Sequence, residues 1–146
     1  MAGSQDYDRQ YLRSMSGLCK VACLLCSFVG FLCIACGPVR ISNFRGSFYL
    51  VVVSLGFVAT LVLLLARYLR LWERQCRRCD PVLWSLAVHS SLALGYFTAS
   101  GLVLSLDIGA YTVGAFFGLT VFSLNGLEAY ANYRRSRQRD VATQTI

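Results

Sequence analysis

Charge is scarce in this chain. Only 14% of its 146 residues are Asp, Glu, Lys or Arg, against roughly 25% in an average soluble domain. That shortfall excludes an ordinary water-exposed surface and is what lipid-facing surface produces. Acidic residues are the scarcer sign, seven against fourteen basic, and there is a single histidine. The sequence therefore offers no buried carboxylate pair, no nucleophile with a base and no complete metal-ligand set, so the expectation is a non-enzyme with no cofactor and no metal. None of Asn43, Asn125 and Asn132 begins a glycosylation sequon. The polar residues 1–16 do not fit a signal peptide. Gly3 is not at the myristoylation position, and the C-terminus is not a prenylation box.

Apolar residues, by contrast, make up 56% of the chain. The run SFYLVVVSLGFVATLVLLLA, residues 47–66, carries no charge. As a helix it would be about 30 Å long, the thickness of a bilayer's hydrocarbon core. A chain of 146 residues is too short to bury such a helix on all sides, so it is read as membrane-spanning, and the other long apolar runs require the same explanation. The expected spans are about 17–36, 47–66, 81–106 and 108–130, joined by connections too short for a folded ectodomain. Residues 1–16 then form an N-terminal tail, 17–135 the membrane domain and 136–146 a C-terminal tail. Short connections force antiparallel neighbours, which predicts an all-α membrane protein built as a four-transmembrane-helix antiparallel bundle.

Orientation follows from where the basic residues fall. Arg9, Arg13, Lys20, the five arginines between the second and third spans, and Arg134, Arg135, Arg137 and Arg139 lie on one side; only Arg40 and Arg45 lie on the other. The positive-inside rule for short loops puts both termini and the middle loop in the cytoplasm. A net charge of +7 would suggest nucleic acid in a soluble protein. Here the basic residues flank apolar runs, so the expected partner is an anionic inner leaflet and not nucleic acid. Arg67, Arg70, Arg74, Arg77, Arg78, Arg134 and Arg135 are the headgroup candidates. Lys20, one turn inside the first span, is expected to snorkel to the interface.

Each span also carries a packing signature. In the first, Ser16, Cys19, Cys23, Cys26, Gly30, Cys33 and Gly37 recur in steps of three and four, which puts them on one helix face. Small residues let helix backbones approach closely, and free cysteine behaves as a small apolar side chain. Metal or redox chemistry at Cys33 and Cys36 is the competing reading, though neither has a His or acidic neighbour. Gly56 with Thr60, and Gly114 with Gly118 and Asn125, make further packing points in the second and fourth spans. The third span is uncharged except for His89, and an ionisable residue in a membrane is a functional candidate by default. A neutral His89 bonded to a neighbouring helix is the plainer reading, since no acidic partner is expected at its depth. Glu128 is expected to snorkel or to pair with Arg134 or Arg135. Cys76 and Cys79, in the arginine-rich loop, lack the second pair a zinc ribbon needs. They are either palmitoylation sites or ordinary reduced thiols.

The lead-in YDRQYLRSMSGLCK supplies Asp8, Tyr11, Leu12, Arg13, Gly17, Leu18 and Lys20, and the last span supplies Gly114, Gly118, Glu128 and Tyr130. In these residues the chain, over roughly 8–135, resembles the chemokine-like-factor-like MARVEL transmembrane (CMTM) family. The resemblance implies a four-helix MARVEL domain and roles in vesicle trafficking, membrane apposition or fusion, cholesterol-rich domains and lateral escort of other membrane proteins. The expected function is thus a non-enzymatic membrane organiser or adaptor in plasma or vesicle membranes. It would bind another integral membrane protein or itself. The alternative is a small channel or transporter subunit with a polar path along the third span.

Overall fold

The computed structural model describes residues 13–37, 43–69 and 81–144. Four helices account for nearly all of them: α1 (Met15–Ala35), α2 (Phe44–Tyr68), α3 (Pro81–Leu104) and α4 (Gly109–Gln144). Among the described residues there is no strand. All four helices are long and apolar enough to cross a membrane. The N-terminal tail through residue 12, Pro38, Arg70, Arg74, Arg77, Arg78, Cys76, Cys79 and Asp80 lie outside the described residues.

The helix ends follow local chemistry. Ser14 caps α1, its hydroxyl accepting the Gly17 N–H at 3.2 Å. Proline opens α3 at its first position, where a missing N–H costs nothing. Between α3 and α4 the chain reverses over residues 105–108, with Asp107 at φ 51, in the left-handed region that Asp tolerates better than most residues. Arg45, at the start of α2, donates to the Ser105 hydroxyl at 2.9 Å and ties that turn down. The expected spans differ from the observed ones mainly in the fourth. α4 continues past residue 130, into the segment 136–146 expected to be a C-terminal tail, to Gln144. Beyond Gly126 the sequence has neither glycine nor proline to stop it, and Arg137 stacks over Tyr133 one turn back at 5.8 Å.

Neighbours in the ring are α1–α2, α2–α3, α3–α4 and α4–α1, and α3–α4 is the most extensive interface. The diagonals are bridged by two tyrosines. Tyr49 of α2 donates to the Gly114 carbonyl of α4 at 2.6 Å. Tyr96 of α3 meets the Ser27 hydroxyl of α1 at 2.8 Å. Both rings are buried, and glycines make room for them. A Cβ at Gly30 would lie 2.7 Å from the Tyr49 hydroxyl, and one at Gly56 would lie 2.5–2.8 Å from three atoms of Tyr96. Gly118 accommodates Ser100 and the Tyr49 ring, and Gly114 receives Ile34.

The buried face of α1 is Gly17, Lys20, Cys23, Ser27, Gly30 and Ile34. It shares only Cys23 and Gly30 with the expected small-residue stripe. Cys19, Cys26 and Cys33 are half-buried at its flank. The helix is turned because Lys20 and Ser27 have polar partners inside, so they are drawn inward with the small residues. Within the span windows only 28–33% of residues are buried by the chain itself. Residues such as Leu25, Phe28, Leu55, Val58, Leu94 and Phe116 stay exposed, so much of the apolar surface of the four helices faces outward.

Gly56→Ala is expected to lower the thermal midpoint in detergent or nanodiscs, because its methyl must displace a buried Tyr96 held by a hydrogen bond. Overpacking of this kind costs about 1–3 kcal/mol. Gly101→Ala, with no atom of the described residues within 4 Å, is the control and should leave the midpoint unchanged. Equal midpoints for the two variants would rule out the glycine seat.

Candidate functional site

α4 has three polar residues on its inward face, Asn125, Glu128 and Asn132, all buried. Steps of three and four put them on successive turns of one side. Each meets a different polar partner. Asn132 donates to the Ser85 hydroxyl of α3 at 3.1 Å. Glu128 accepts from the Ser16 hydroxyl of α1 at 3.1 Å and pairs with Lys20 at 3.5 Å. Lys20 in turn donates to Ser16 at 2.9 Å. Deeper in, the Asn125 amide donates to the Val121 carbonyl at 3.0 Å, which turns its own carbonyl toward His89 Nδ1, 2.8 Å away. The arrangement assigns the ring proton to Nδ1 and leaves Nε2 as an acceptor, buried with no hydrogen-bond partner among the described residues.

Two expectations are corrected here. Glu128 pairs neither with Arg134 nor with Arg135, both of which are exposed; its partner is Lys20, which does not snorkel outward but is 5% exposed. The cause is the antiparallel packing of α1 on α4, which lays the first turns of α1 beside Glu128. Lys20 therefore meets a carboxylate inside the bundle, and each charge offsets part of the other's desolvation. The third expectation, His89 bonded to a neighbouring helix, matches the Asn125 contact, and Asn125 belongs to the interior as well as to helix packing.

This ladder lies below the end of the bundle where α1 begins and α2 ends. A cavity of about 330 Å³ opens there, and its lining includes Lys20, Glu128, Ser85 and Asn132, with Arg67 of α2 and Arg135 of α4. Both arginines are exposed, and neither forms an ion pair with a described residue. The cavity is a polar chamber with excess positive charge, suited to holding an anion. Among the described residues no three His, Cys, Asp or Glu side chains come together as a metal-ligand group. Cys33 and Cys36 are free thiols, one half-buried and one exposed.

Of the residues singled out from sequence, His89, Asn125 and Glu128 belong to this ladder, with Cys23 beside Asn125 at 3.9 Å. Gly30, Gly56, Gly114 and Gly118 lie around the tyrosines instead. Sequence reasoning did not connect Lys20, Ser85 and Asn132 to the site. Their signal was present: Ser85 and His89 are four apart, as are Glu128 and Asn132. No protein-family model, no curated protein and no solved structure matches the chain.

Lys20→Met alone, or Glu128→Leu alone, is expected to destabilise the bundle by roughly 3–5 kcal/mol, reduced where water reaches the pair through the cavity. The double variant should recover most of that loss, because no charge is left unpaired. A double-mutant cycle on thermal unfolding in nanodiscs checks it, and additive losses would show that the two side chains act independently.

Proposed function

We propose that this chain is a non-enzymatic, MARVEL-like membrane organiser that associates laterally with another integral membrane protein or with itself. Its setting is trafficking, membrane apposition or fusion at plasma or vesicle membranes. The division of its surfaces carries this reading. The glycine faces are filled from within by Tyr49, Tyr96, Ser100 and Ile34, while the outside is mainly apolar, with side chains such as Phe28, Val58, Phe97 and Phe116 interrupted by the exposed Ser54, Ser91, Thr98 and Ser123. The glycines hold the bundle together, so association with partners falls to these outward residues, which pack on apolar helices as they pack on lipid. The basic flanks support a cytoplasmic placement of both termini and attraction to an anionic leaflet, worth about 1 kcal/mol per Lys or Arg. Palmitoylation of Cys76 and Cys79 would add a second hold on that leaflet.

A second reading, a channel or transporter subunit, is favoured by the polar ladder from Asn132 to His89. Beyond His89 the interior is occupied by the buried Tyr96 and Tyr49 rings, which favours the organiser.

Proximity labelling from the C-terminal tail, followed by co-purification in mild detergent, is expected to recover a stoichiometric membrane partner or a self-associated form. A lone monomer that conducts ions in vesicles, with flux lost in His89→Ala, would overturn the organiser in favour of the channel. An epitope tag at the C-terminus should be accessible only after permeabilisation; access in intact cells would overturn the orientation.

A further inference from the structure

We propose that the cavity at the basic end is a specific interhelical site for a phosphate-bearing group, the headgroup of an acidic phospholipid. The walls carry three cations, Lys20, Arg67 and Arg135, against one carboxylate, Glu128. Glu128 is engaged by Lys20 and Ser16, so the charge that remains to be matched is that of the two arginines. Arg67 comes from the last turn of α2 and Arg135 from α4, so two arginines line the cavity from different helices. A planar guanidinium binds phosphate oxygens through paired N–H donors. Asn132 and Ser16 add polar atoms to the lining, the first held in a hydrogen bond to Ser85 and the second in two, to Glu128 and from Lys20. The volume, about 330 Å³, lies at the small end of the roughly 300–1,000 Å³ of ligand sites.

The lining also favours a lipid over a free phosphate ester. Met15 and Leu63 belong to it; Met15 is 80% exposed and is the first residue of α1, an apolar side chain at the end of a helix long enough to span a membrane. A headgroup held by the arginines would leave its acyl chains along this apolar rim. Because the lining is drawn from all four helices, occupancy ties their ends together and stabilises the bundle. The inference rests on the chain spanning a membrane with this end at an anionic leaflet; it does not depend on a protein partner.

The test uses the full chain, delipidated and placed in phosphatidylcholine nanodiscs with or without phosphatidylinositol 4-phosphate. Thermal midpoint and, by native mass spectrometry, retained lipid are the readouts. The acidic lipid is expected to raise the midpoint and to be retained at one per chain. Arg67→Gln with Arg135→Gln should weaken retention roughly a hundredfold or more, since each arginine loses its charge-assisted hydrogen bonds to phosphate as well as its charge. The control pair, Arg134→Gln with Arg137→Gln, removes two exposed charges outside the cavity lining and should lose only their share of the general attraction to the leaflet, roughly thirtyfold at most. A midpoint shift from inositol 1,4-bisphosphate or inorganic phosphate alone, lost in the first pair only, would support the phosphate site and move its source to the soluble phase. Equal weakening by both pairs, or no headgroup-dependent retention, would overturn the site. Partner capture and tag accessibility are separate readouts, so failure here leaves the organiser reading to its own test.

Discussion

Lipid is as apolar as leucine, so helices in a membrane gain little by burying leucine against leucine. Whatever holds this bundle must be close packing and internal polar bonds. Tyr49 and Tyr96 supply both. Each hydroxyl crosses the bundle to a diagonal helix, reaching the Gly114 carbonyl and the Ser27 hydroxyl, and each ring fills space that glycine leaves on a neighbour. A glycine without its tyrosine would be a void, and a tyrosine without its glycine would clash. The pairing fixes how far apart the helices sit and how each is rotated.

The polar ladder obeys the same constraint. An unpaired charge or amide in the hydrocarbon region costs several kcal/mol, so Lys20, Glu128, Asn125 and Asn132 are kept inside by having partners there. The ladder orients three helices: Glu128 on α4 holds Ser16 and Lys20 of α1, while Asn125 and Asn132 hold His89 and Ser85 of α3. These bonds lie toward the basic end, and the tyrosines lie deeper. The bundle is thus tied by polar contacts at one end and packed by rings in the middle, and its chamber opens where the arginines of α2 and α4 gather.

Much of this was legible in the residue order. Four apolar runs, the proline opening α3 and the tight reversal near Asp107 gave the span count and their neighbours. His89, Asn125 and Glu128 stood out because polar residues are conspicuous in apolar sequence. Their partners were harder to find. Lys20 read as an interface residue because its distance from the start of α1 is a fact about one helix, whereas its burial depends on which residue of α4 lies opposite. The cysteine stripe misled for a related reason: periodicity identifies a face of small residues, but the face that is buried is the one with the best combined packing and polar pairing. In α1 that face includes Lys20 and Ser27.

The sequence by itself determined that this is an all-helical chain with four helices able to cross a membrane, and that its basic residues flank those helices unevenly. Those properties depend on runs and local spacing, which are written in one dimension. Only the tertiary structure decided that Glu128 meets Lys20, that Gly30 and Gly56 seat tyrosines, and that Arg67 and Arg135 share one cavity. Each joins residues on different helices, and such a contact depends on the rotation and register of both helices, which no single helix's sequence specifies.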